Sequence, residues 1–119
     1  AALNACPSGW RLPSLEDWMT LLNFLGGDTV AGDKLKKPLE WNVSERRTSD
    51  ACGFNAIPSG NYSSYYNEFN YMGKSTTFWS STSESEKEAT AAIIVTPHKE
   101  VSMWEMDKAN GSSVRCIKE

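Results

Sequence analysis

The sequence predicts an α+β domain with two helices first, a long irregular middle and an antiparallel sheet last. Three observations predict it. Leu15, Trp18, Met19, Leu22 and Leu25 recur at helical spacing. Residues 39–74 are rich in Asn, Ser, Gly, Tyr and Pro, the composition of ordered but irregular loops. After Ser75, short apolar runs alternate with turn residues. Helices and strands segregated along the chain in this way build an α+β layer rather than a parallel sheet.

The first helix has the clearest local signals. Ser14 can cap it by accepting an orphan backbone N–H, and Asp17 reaches back in a capping-box arrangement. Gly26 and Gly27 supply a left-handed stop. A second, shorter helix is expected to begin at Asp28 or Thr29 and to end before Pro38, with Val30, Ala31 and Leu35 inward. Strands are expected over 76–81, 89–96, 101–106 and 113–117, and the first helix is expected to pack against the sheet they form. Pro97, His98, Lys99 and Glu100 form the turn between the second and third of these, and Lys108, Ala109, Asn110 and Gly111 the next.

With 119 residues, 39% of them hydrophobic and 23% charged, the chain has the size and composition of one globular domain. Its net charge of -3 argues against nucleic acid as a partner, since phosphate binding needs a basic face. The basic clusters Lys34, Lys36, Lys37 and Arg46, Arg47 read as solvated surface. No run reaches the roughly 18 apolar residues of a membrane span. Neither an internal repeat nor a linker divides the chain.

Four stretches recur in order: Cys6-Pro7-Ser8-Gly9-Trp10-Arg11-Leu12-Pro13 with Glu16-Asp17-Trp18, then Gly53-Phe54-Asn55-Ala56-Ile57-Pro58, then Phe78-Trp79-Ser80-Ser81-Thr82, and finally Ser113-Val114-Arg115-Cys116-Ile117. With them the chain resembles the Fibrobacter succinogenes major paralogous domain family. The resemblance implies an exported bacterial surface protein or lipoprotein with a C-type-lectin-like fold, the fold shared with the formylglycine-generating enzyme. It implies a Cys6–Cys116 disulfide joining the two ends, and buried positions for Trp10, Trp18 and Trp79. Family members carry an early strand before this point, so the fold is expected to extend beyond Ala1.

Three cysteines leave Cys52 over, either to pair outside this chain or to stay a thiol. A catalytic Cys52 would need a base, and His98 is the sole histidine. The late cysteines with which the formylglycine-generating enzyme binds copper have no free counterpart, because Cys116 belongs to the bridge. No nucleophile, base and orienting group stand together, so neither an enzyme nor a cofactor is expected. The Glu-Pro-Asn and Trp-Asn-Asp motifs of calcium-dependent lectins are missing, and no metal site is expected. Glu68, Asp50 and Asn70 read better as polar surface than as calcium ligands.

The candidate site is the segment from Asn61 to Tyr71, where rings alternate with amides and hydroxyls. Tyr gives contact area at low entropy cost, and Asn gives both a donor and an acceptor. Tyr62, Tyr65, Tyr66, Asn61 and Asn67 are the candidate ligand-binding residues, with Trp41 and Trp104 as outliers. Phe69 and Tyr71 are expected to plug the loop into the sheet instead. The expected function is a non-catalytic binding or adhesion module for a glycan or protein ligand. The alternatives are an assembly subunit that takes its early strand from a neighbour, or a display scaffold varied at its Tyr and Asn positions.

Overall fold

A computed structural model describes residues 1–38, 40–41 and 53–119. After a short 3-10 turn at Ala2–Asn4 come β1 (Trp10–Arg11), α1 (Leu15–Phe24) and α2 (Asp28–Leu35). The second half holds β2 (Asn61–Ser63), β3 (Glu68–Asn70), β4 (Ser75–Trp79), β5 (Glu88–Val95), β6 (Val101–Asp107) and β7 (Ile117–Lys118). The strands make three antiparallel sheets, β1-β7, β2-β3 and β4-β5-β6. The α+β class and both helices stand as the sequence predicts.

Ser14 caps α1 as expected: its Oγ accepts from the Asp17 N–H at 3.1 Å, and the Asp17 carboxylate accepts from the Ser14 N–H at 2.9 Å. Arg11 forks onto the same carboxylate. These bonds, Arg11's first, hold the Asp17 carboxyl well below the usual carboxylate range. After Phe24, Gly26 and Gly27 take positive φ and the Gly27 N–H returns to Leu22 O at 2.8 Å, which ends the helix.

The central sheet is covered on both faces over β4 and most of β5, while much of β6 is exposed. Phe78, Ala92, Ile94, Val101 and Met103 pack toward Trp18, Leu22 and Leu25 of α1 and Ala31 and Leu35 of α2. The opposite face carries Trp79, Ala89, Ala91 and Met106 under Leu12, Val114 and Cys6. All of β4 is buried because its outer edge is also taken. Gly60 donates to Ser75 O at 2.7 Å, Ser113 to Thr77 O at 2.9 Å, and Trp79 to Ser113 O at 3.0 Å. The strand expected over 113–117 is therefore not a hairpin partner of β6. After the Lys108 turn the chain crosses to the far side of β4, makes a parallel bridge at Ser113, and forms a strand again only as β7. There Cys116 meets Cys6 in a disulfide that spans 110 positions.

Three side chains depart from expectation. Trp10 is 44% exposed, because a two-residue strand at the molecule's margin has no second layer over it. Val30 points outward, while Ala31 and Leu35 take the inward face of α2. Lys36, read as solvated, is only 1% exposed: its Nζ donates to His98 O at 2.8 Å and Val95 O at 3.2 Å, and lies 5.2 Å from the Trp41 ring centre. Burial loosens its hold on the proton, while Asp33 at 3.5 Å opposes that.

Gly32 shows how tightly α2 meets the β5-β6 turn. A Cβ there would sit 2.5 Å from the Lys99 carbonyl oxygen, whose partner is the Gly32 N–H. Alanine at a helix interior normally gains about 1 kcal/mol over glycine. Gly32→Ala is expected to invert that, lowering stability by about 1–3 kcal/mol through overpacking. A urea midpoint shifted downward would show it, and an upward shift would refute the close approach.

Candidate functional site

The irregular middle contains a hairpin that composition alone hid. β2 and β3 pair Asn61 with Asn70, Tyr62 with Phe69 and Ser63 with Glu68, around a turn over 64–67. Asn67 closes the turn at φ 52°, a left-handed conformation that Asn tolerates better than most residues. The Tyr66 N–H donates to Ser63 Oγ at 3.2 Å, so the turn is stiffened from within.

The hairpin is anchored to the body from two sides. Gly60, at φ 72°, bridges to Thr76 of β4, and a Cβ there would run into the Asn70 carbonyl. Tyr62 and Gly111 exchange both backbone bonds, at 2.9 and 3.0 Å. Asn110 then accepts from both the N–H and the hydroxyl of Ser64 at 2.9 Å. The crossing chain over 110–113 thus lies between the hairpin and β4 and fixes one to the other.

On this base the rings face solvent. Tyr65 is 83% exposed, Tyr66 68% and Phe69 84%, with Tyr71 and Met72 also exposed. Tyr65 and Tyr66 stand edge to face at 4.8 Å, and Tyr62 and Phe69 at 5.1 Å. The half-buried Tyr62 donates its hydroxyl to Asn67 Oδ1 at 3.2 Å. Phe69 and Tyr71 therefore do not plug the loop into the sheet, because β4 already has Gly60 and Ser113 along that edge. Asn61 is less available than expected, since its Oδ1 is buried.

The two outlying candidates do not join this group. Trp41 is buried in the helix-facing core with its indole N–H on Ala56 O at 2.9 Å, so it supports the scaffold and presents no face to a ligand. Trp104 is 65% exposed on β6, with β4 and β5 between it and the hairpin. Trp10 instead lines a cleft of about 330 Å³ with Trp18, Leu21, Phe54, Arg115 and Ile117, in which the Arg115 guanidinium stacks 4.3 Å over the Phe54 ring. Cys52 and Asp50 lie outside the described residues. Among those described, no three His, Cys, Asp or Glu side chains converge on a metal position, and no helix is long and apolar enough to cross a membrane.

The architecture is that of an α+β module closed end to end by a disulfide, with an aromatic hairpin fixed on its surface. Residues 1–118 match the family described as the Fibrobacter succinogenes major domain, and the chain belongs to that family. No curated protein matches it, and no solved structure does.

Proposed function

We propose that this domain is a non-catalytic binding or adhesion module of a bacterial surface or secreted protein, which engages a glycan or protein ligand through the β2-β3 hairpin. The observation that carries the reading is the set of exposed rings Tyr65, Tyr66, Phe69 and Tyr71 on a backbone held rigid by Gly60, Gly111 and Asn110. Rings presented without a hydrophobic neighbour to cover them serve recognition better than stability. Preorganised aromatics lose little entropy on binding, and Asn67 beside them offers amide contacts. A C-type-lectin-like arrangement agrees with the paired termini, the two helices and the loop region set on an antiparallel sheet. Export agrees with the end-to-end disulfide, which persists only where thiols are not kept reduced.

The test is binding of the labelled domain to a glycan array, and in parallel to surface proteins of cells on which it is displayed. Tyr65→Ala with Tyr66→Ala is expected to abolish the strongest signal while leaving stability within about 1 kcal/mol, as exposed substitutions do. Undiminished binding by that double variant would move the site away from the hairpin.

A further inference from the structure

Among the described residues, the outer edge of β6 is the open edge of the central sheet. β4 has its outer edge filled by Gly60 and Ser113, whereas no described residue pairs with the far side of β6. The Lys108 N–H donates to Lys87 O at 2.7 Å, continuing the β5-β6 register. By the alternation of an antiparallel ladder, Ser102, Trp104 and Met106 spend their backbone groups on β5. Val101, Met103, Glu105 and Asp107 therefore aim theirs outward. β6 carries no proline or glycine to break this edge, and the charges on it, Glu105 and Asp107, guard only its second half.

We infer that β6 pairs with β6 of a second copy, antiparallel about a twofold axis at Trp104, to make one continuous six-stranded sheet. In that register Met103 lies opposite Glu105 of the second copy and Val101 opposite its Asp107; the Met103-Glu105 pairs can exchange both backbone bonds, while the Asp107 carbonyl already accepts from the Asn110 N–H at 3.0 Å. Trp104 lies opposite its own counterpart at a non-hydrogen-bonded position, where side chains come closest and aromatic pairs contribute most. Its ring is already exposed on the sheet face, so the pair forms without rearrangement.

Charge and the Trp104 pair together favour this register. Glu105 and Asp107 each face an apolar residue, and at the two ends Glu100 falls opposite Lys108 of the second copy, whose Nζ would turn from its exposed bond to Ser85 O at 3.1 Å to the carboxylate. Sliding the copies by two residues in one direction sets Glu105 against itself. Sliding them the other way trades the Glu100-Lys108 pairs for Lys99-Asp107 pairs but sets Trp104 against Ser102, so the aromatic pair is lost. A single strand pair buries less than a standard interface, so the dimer is weak and concentration-dependent.

Sedimentation velocity on the purified domain, from about 10 μM to about 1 mM, reads the association directly. A monomer at the low end and a dimer at the high end are expected. Trp104→Lys places two cations on the axis and is expected to remain monomeric throughout. Glu100→Lys is expected to weaken association several-fold, and adding Lys108→Glu to restore it, which no other register predicts. The Tyr65→Ala with Tyr66→Ala variant is expected to dimerise normally, so this inference and the hairpin reading can fail separately. A monomer at the highest concentration, a dimer that survives Trp104→Lys, or a charge swap that fails to restore association would overturn it.

Discussion

Replacing Cys6 and Cys116 by alanine is expected to lower the domain's stability by about 5 kcal/mol. A crosslink closing a loop of this length restricts the unfolded chain by roughly that amount. Small domains have only about 5–15 kcal/mol in total, so the open form is expected to be marginal at 37 °C. The native frame gives the bridge little redundancy. The strands it joins are two residues each, supported by the bond from the Glu119 N–H to Gly9 O at 3.0 Å. Urea unfolding of the oxidised and reduced protein measures the difference. A shift below about 1 kcal/mol would mean that β1 and β7 hold the ends unaided.

Two tryptophans from equivalent-looking motifs are expected to behave oppositely. Trp79 packs among Leu12, Ala89 and Ala91 beneath the sheet, and Trp79→Ala is expected to cost about 3–5 kcal/mol through lost burial and the cavity left behind. Trp10, nearly half exposed at the mouth of its cleft, is expected to cost about 1 kcal/mol or less when truncated. Thermal or urea unfolding of both variants decides the matter. Equal losses would mean that Trp10 is as buried as the sequence suggested.

What could be read from the sequence was local. Ser14 with Asp17, the spacing of Trp18, Leu22 and Leu25, and the double glycine at 26–27 specify α1 within a dozen residues. The β5-β6 hairpin is equally self-contained, with a continuous apolar run before Pro97 and a mixed apolar-polar strand after it. What could not be read depends on distant partners. Asn61-Tyr62-Ser63 and Glu68-Phe69-Asn70 alternate over only three residues each, too few to mark strands, and their pairing is secured by Gly111 and Gly60 rather than by a buried face. Lys36 reads as surface until the carbonyls of Val95 and His98, some 60 positions away, close over it. At the candidate site, Tyr65 and Tyr66 were legible as exposed rings, though not as the tip of a hairpin. The exposure of Phe69 and Tyr71 was not, since it follows from the crossing chain having already occupied the place they would have taken.

That crossing chain also determines how much of the hairpin is free to change. Its contacts stop at Ser64, where Asn110 takes both the amide and the hydroxyl, and beyond that point Tyr65, Tyr66 and Asn67 are held by the turn alone. The frame and the tip are therefore separate inheritances. Asn110, Gly111 and Ser113 cannot drift without loosening both the hairpin and β4, and Asn67 is held by its left-handed φ and the Tyr62 hydroxyl, whereas Tyr65 and Tyr66 can be rewritten with the rest of the molecule unchanged. A lineage, or an engineer grafting foreign side chains, could change the face this domain presents by editing 65 and 66 alone.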